Sequence, residues 1–230
     1  MKVVFVGPSL ADAPDLARGD LIVRPPACQG DVMKCLAEGA TAIGLIDGQF
    51  EHVAPVWHKE LIFALSMGVS VFGAASMGAL RAAECHPFGM VGLGRIFEDY
   101  LHGRRDDDAD VALLYGPSEL GYPPISVPIV NVDATLETAL QRDVIDPSTA
   151  LALSDAARSI FFKDRTWQRI ASVAGVSAAD MRAWLRIAWT DQKRCDALLL
   201  IDTIRSAPPP SSRPSWTFNS TPLWRELYGQ

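Results

Sequence analysis

Three short runs of strand-forming residues, "KVVFVG" at 2–7, "TAIGLIDG" at 41–48 and "VSVFG" at 69–73, are separated by stretches with helical spacing. A continuous apolar run closed by glycine or proline reads as a buried strand. Between the first two, "DLIVRPP" supplies a further short strand, and "GDVMKCLAEGA" places Val32, Cys35 and Leu36 on one helical face, with Gly39 as a stop. Between the second and third, "APVWHKELIFALSMG" (54–68) has Pro55 in its first turn and apolar residues at 57, 61, 62 and 65. Strands joined through helices of this length pair in parallel, because a parallel crossover needs a connection of a dozen residues or more. The chain is therefore expected to be α/β: three layers, a mostly parallel sheet flanked by helices, with a helical C-terminal subdomain.

Past residue 86 the pattern changes. A glycine-rich loop leads into a helix ending near Leu101, then a charged turn, a strand at 111–115, another at "SVPIVNV" (126–132) and a helix at "DATLETALQRD". From Pro147 to Arg205 every segment has helical period. "APPPSSRPS" (207–215) reads as an extended spacer before a short aromatic terminus. The expected division is an α/β core at 1–145, a helical subdomain at 146–206 and a Pro-rich tail at 207–230.

The 230 residues carry a net charge of −6, which argues against a nucleic-acid partner, since neutralising phosphates takes a basic surface. No apolar run reaches the roughly 18–20 residues needed to cross a bilayer, and "MKVVFVGPSL" lacks a signal-peptide pattern. A cytoplasmic protein without a membrane partner is expected. Cysteines 28, 35, 85 and 195 show neither CxxC nor zinc spacing, so no metal and no disulfide framework is expected; reduced thiols are the ordinary reading, with a sulfur relay at Cys28 or Cys85 as the alternative. Phosphate-loop and dinucleotide fingerprints are absent, and no cofactor is expected.

In parallel α/β sheets ligands sit beyond the carboxyl ends of the strands. Those ends carry Ser9, Asp47 and Ser76, with Lys59 expected near the same rim. Ser76 lies in "FGAASMGALRAAE", where small neighbours flank a single hydroxyl at a strand-to-helix turn. This partly matches a nucleophile elbow: Gly78 is in register, while Ala74 replaces the first glycine. Either Ser76 caps the helix, or it attacks a substrate in a slot bordered by Ala75, with the Met77 and Gly78 amides as oxyanion donors. A serine nucleophile needs a base, and His58 and Lys59 are the candidates. Lys59 would act only when neutral, which requires its pKa to fall from about 10.4 toward about 7 or 8; Arg81 is the cationic neighbour available to do this. Asp47 either forms a turn or orients the base. The block from Arg104 to Asp108 is either a solvated turn or a protein-docking patch.

The motifs "FVGPSL", "PPACQGD", "GLIDGQF", "WHKEL", "GAASMGALRAAE", "FGMVGLGRIFEDY", "RRDDDADVALLYGP" and "VNVDATLETAL", in that order over about residues 3 to 140, resemble the TfuA family. The resemblance implies a role beside YcaO enzymes in peptide backbone thioamidation. It implies as partners a YcaO-domain protein, the precursor peptide it acts on and a ThiS-like, ubiquitin-fold sulfur carrier. It further implies hydrolysis of the carrier's thiocarboxylated C-terminus by a serine and lysine pair, here Ser76 and Lys59; Ser9, at a neighbouring strand tip, is expected as a further donor. A non-catalytic adaptor that helps YcaO engage its peptide is the competing expectation.

Overall fold

The computed structural model describes residues 1–17, 19–49, 51–208 and 214–229. Five strands, β1 (Lys2–Phe5), β2 (Ile22–Arg24), β3 (Ala42–Leu45), β4 (Ser70–Ala74) and β5 (Val91–Leu93), form one sheet in the order β2-β1-β3-β4-β5. Every pairing is parallel, with Val3 opposite Ile43, Ile43 opposite Val71 and Phe72 opposite Val91. The α/β expectation holds, and the order 2-1-3-4-5 is that of flavodoxin-like doubly wound sheets. The chain leaves β1 toward one edge and returns to β3 on the other side, so the switch point lies between the ends of β1 and β3.

Side chains alternate across the pleat, which is why these runs are apolar throughout rather than every second residue. Val3, Phe5, Ile43, Leu45 and Val71 face one side, where α2 (Asp31–Ala37), α3 (His58–Ser66), α4 (Met77–Cys85) and α5 (Gly94–Leu101) contribute Val32, Leu61, Ala79 and Ile96. Val4, Val6, Ala42, Ile46, Phe72 and Ala74 face the other side and meet α1 (Ala13–Leu16) and α10 (Gln192–Ser206). Ala197, Leu200, Ile201 and Ile204 of α10 recur at helical spacing and are buried against the sheet. Each such leucine or isoleucine contributes on the order of 1.5–3 kcal/mol by leaving water. Gly44 lets α10 approach: a Cβ there would lie 2.7 Å from Leu200 Cδ2.

A separate apolar cluster joins α6 (Ile129–Gln141), α7 (Pro147–Ser159), α8 (Trp167–Ala174) and α9 (Ala178–Ala188) through Val132, Leu136, Leu153, Ile170 and Trp184. In this packing α6 joins α7–α9 while its Val130 reaches the sheet-face core, and α10 packs on the sheet. Two expected strands are absent. Residues 111–115 make only an isolated bridge, Tyr115 to Pro124, and "SVPIVNV" runs into α6, whose turn begins after Pro128. Its apolar residues are consecutive because this helix is buried around most of its circumference, so strand and helix looked alike. The unexpected β5 is a short edge strand whose two glycine neighbours disguised it.

In the C-terminal segment, 209–213 of the expected spacer lie outside the described residues. Beyond it, α11 (Pro222–Tyr228) buries Trp224 against Trp57, Phe63, Phe218 and Tyr228, so the aromatic terminus docks on the start of α3. Among the described residues no helix is long and apolar enough to cross a membrane.

Candidate active site

Strand β4 turns into α4 through two residues. Ala75 has φ 67°, and Ser76 N donates to Ala74 O at 2.7 Å, closing a three-residue turn around Ala75. The left-handed conformation disfavours alanine by ~1–2 kcal/mol. Strain therefore sits on the residue before the serine, and Ser76 itself has φ −128°.

Ser76 occupies the N-cap position of α4, yet its side chain makes no capping hydrogen bond. Only 8% of the residue is exposed, and its hydroxyl has no hydrogen-bond partner among the described residues. It lines a cavity of about 200 Å³ together with Pro55, Met77, Leu80, Arg81 and Phe162. Of the two readings of this serine, capping fails on geometry.

The two expected oxyanion donors separate. Met77 N, at the first turn of α4, has no acceptor among the described residues and is free to bind a ligand oxygen. Gly78 N is committed to Ile46 O at 3.1 Å. Gly78 serves packing instead, because a Cβ would stand 1.8 Å from Leu45 O, so only glycine lets α4 start against the end of β3. Arg81 donates from Nε to Val56 O at 3.0 Å and from Nη1 to Glu84. It thereby ties α4 to the chain just before α3, and its Nη2 is unbonded among the described residues.

Ser9 and Asp47 do meet, across the β1/β3 switch point. Buried Asp47 accepts from Gly7 N and Ser9 N with Oδ2 and from Ser9 Oγ, at 2.6 Å, with Oδ1. The Ser9 hydroxyl proton is thus held by Asp47 and is not offered to a ligand. This triad of bonds fixes the crevice where two strand ends diverge, the turn-forming role weighed for Asp47.

Lys59 is the second residue of α3, nearer the helix start than expected, because the helix begins only at His58 and Pro55 precedes it in extended chain. Its Nζ donates to Thr221 Oγ1 at 3.0 Å and lies 5.4 Å from the Phe218 ring centroid and 5.9 Å from that of Trp57. No hydrogen bond joins it to Ser76. The docked C-terminal helix, invisible to reasoning on the core motifs, has taken the amine. His58 is exposed with its ring edge-on to Trp57, and its carbonyl accepts from the Cys85 thiol at 3.8 Å. Burial pushes the Cys85 thiol up to about 12 and raises that of Cys28 as well, so neither favours the thiolate a sulfur relay would use.

Buried ionisable groups that went unremarked in the sequence include Lys193 and Glu60. Lys193, 2% exposed, donates its Nζ to Val111 O at 2.9 Å; burial lowers its pKa, while Asp47 and then Asp191 act to raise it. Val111 also lines the Ser76 cavity, and Lys193 lines a smaller one with Ser9. Its position one turn before Ala197 puts Lys193 on the buried stripe of α10, a signal present in the helical period. Glu60, wholly buried, accepts from Gly30 N and from Tyr228 Oη; burial raises its pKa, and burial with Glu60 beside it pushes Tyr228 up to about 12. Among the described residues no group of three His, Cys, Asp or Glu side chains could hold a metal ion.

A family model described as TfuA-like protein matches residues 47–166, a little over half of the chain. The chain belongs to the TfuA-like family. No curated protein matches the sequence. The matched stretch holds Asp47, Lys59 and Ser76 and runs through α6 and α7 to the start of α8. Membership associates this TfuA-like chain with YcaO and with thioamidation of peptides.

Proposed function

We propose that this TfuA-like chain hydrolyses the thiocarboxylated C-terminus of a ThiS-like, ubiquitin-fold sulfur carrier and so supplies sulfide for YcaO-dependent thioamidation. The observation that carries it is the uncapped Ser76 hydroxyl, held on a strained turn at a cavity and beside a free helix-terminal amide. A structural serine at an N-cap uses its oxygen to accept a backbone N–H; this one is left available.

Ser76 Oγ attacks the thiocarboxylate carbon, and its proton passes to Lys59 in its neutral form. The oxyanion is met by Met77 N, with Arg81 Nη2 at the same cavity. The C–S bond breaks, Lys59 returns the proton to sulfur, and hydrosulfide leaves an acyl-Ser76 ester. Water then adds to the ester carbon, a proton returns to Ser76 Oγ, and the carrier departs as an ordinary carboxylate. Lys59 must exchange its bond to Thr221 for one to Ser76.

The test is hydrosulfide release from purified carrier thiocarboxylate. Lys59→Ala and Lys193→Met separate the two amines: loss in the first with activity kept in the second supports the assignment of the base, and the reverse transfers that role to Lys193. Absence of release by the wild-type chain, with thioamide formation still promoted when free sulfide is supplied, establishes the adaptor role instead.

A further inference from the structure

A second cavity is larger than the one at Ser76. It measures about 570 Å³ and is walled by Arg95, Arg104, Arg105, Arg158 and Arg165, with five aspartates between them. Ala109 lines both this cavity and the one at Ser76.

Most of its charges are already spent on one another. Arg105 bonds Asp110 and Asp133, Arg158 bonds Asp133, and Arg104 bonds Asp99. Arg95 pairs outward with Glu137. Arg165 differs. It is 4% exposed, its Nε and Nη2 donate to the carbonyls of Ala157 and Ile160, and Nη1 is buried with no hydrogen-bond partner. It makes no ion pair among the described residues. Burial disfavours its charge and lowers its pKa, but a guanidinium keeps its proton in proteins. Asp110, Asp107 and Asp133 act on its charge from a distance, yet none bonds it, and a buried guanidinium with one terminal nitrogen unmet is a group that a carboxylate completes.

We propose that this cavity binds an extended peptide segment through an acidic side chain, whose carboxylate pairs with Arg165. A small free anion would fill a minor part of 570 Å³. The outer aspartates favour a peptide as well: Asp106 is exposed, lines the cavity and makes no hydrogen bond among the described residues, so it is open to backbone N–H donors. The chain's net charge of −6 gives acidic peptides no general attraction to its surface, so the site must supply the recognition. Binding here is independent of hydrolysis at Ser76.

The experiment is fluorescence anisotropy with a labelled pentaglutamate and its pentaglutamine counterpart. Pentaglutamate should bind the wild type at least about tenfold more tightly than pentaglutamine, and Arg165→Gln should erase the difference. Asp106→Asn, which removes a negative charge from the wall, should tighten pentaglutamate binding about two- to fivefold; this exposed change decides the matter where Arg165→Gln unfolds. Equal affinity for the two peptides, a folded Arg165→Gln that still discriminates, or unchanged binding in Asp106→Asn where Arg165→Gln unfolds, overturns the proposal. So does inorganic phosphate binding at the cavity while pentaglutamate fails to compete for it.

Discussion

Replacing Gly78 by alanine probes the geometry on which the site depends. An added Cβ would lie 1.8 Å from Leu45 O and 2.6 Å from Leu45 C, both backbone atoms of a central strand, where ordinary contact begins at 3.4 Å. Helix α4 would have to withdraw by well over 1 Å from the end of β3, breaking the bond from Gly78 N to Ile46 O. Overpacking in a close-packed interior costs ~1–3 kcal/mol, and a clash with backbone belongs at or above the top of that range. At about 2–4 °C per kcal/mol for a chain of this length, thermal unfolding followed by far-UV circular dichroism should show a loss of about 6–12 °C or more. Gly103→Ala is the control. Its φ of 67° strains alanine by ~1 kcal/mol, but no atom lies within 4 Å of the new Cβ, so a loss of only about 2–4 °C is expected. A Gly78→Ala protein that melts with the Gly103→Ala control would refute the reasoning that this glycine exists for close approach.

Leu200→Ala should destabilise by ~2–5 kcal/mol in denaturant unfolding, because Leu200 is fully buried between α10 and the sheet; a change below ~1 kcal/mol would detach α10 from the core. Glu60 has its folded pKa raised by burial, so the folded state holds its proton more tightly than the unfolded state. Its contribution is full below the ordinary value of 4.5 and declines as pH rises through the raised one. Glu60→Gln should flatten that decline in stability-versus-pH curves, and an unchanged slope would assign it elsewhere. Lys193, lowered by burial, has the opposite sign: stability should rise with pH between its folded value and the ordinary 10.5, and Lys193→Met should remove the rise.

The strands at 2–7, 41–48 and 69–73 were legible because each is a short apolar run closed by a glycine or proline, and the helix between two of them fixed parallel pairing. What periodicity alone could not separate was a helix buried all round from a buried strand, as in "SVPIVNV". The site was legible as far as one chain segment carried it. Ser76 and its small neighbours stand together in sequence, but the turn buries those neighbours and leaves Ser76 alone of them at the cavity. Contacts made by distant segments were not legible. Asp47 takes the Ser9 hydroxyl, Ile46 takes the Gly78 amide, and Thr221, 162 residues along the chain, takes Lys59. The unpartnered Nη1 of Arg165 was hidden for the same reason, since its meaning depends on which aspartates other arginines have already claimed.

The most direct test is the rate of hydrosulfide release from carrier thiocarboxylate by the purified chain alone, compared between wild type and Ser76→Ala. Among the described residues the hydroxyl has no hydrogen-bond partner, so the variant should unfold within about 0.5 kcal/mol of wild type while release falls by ~10³-fold or more. Equal rates in the two proteins would contradict the account.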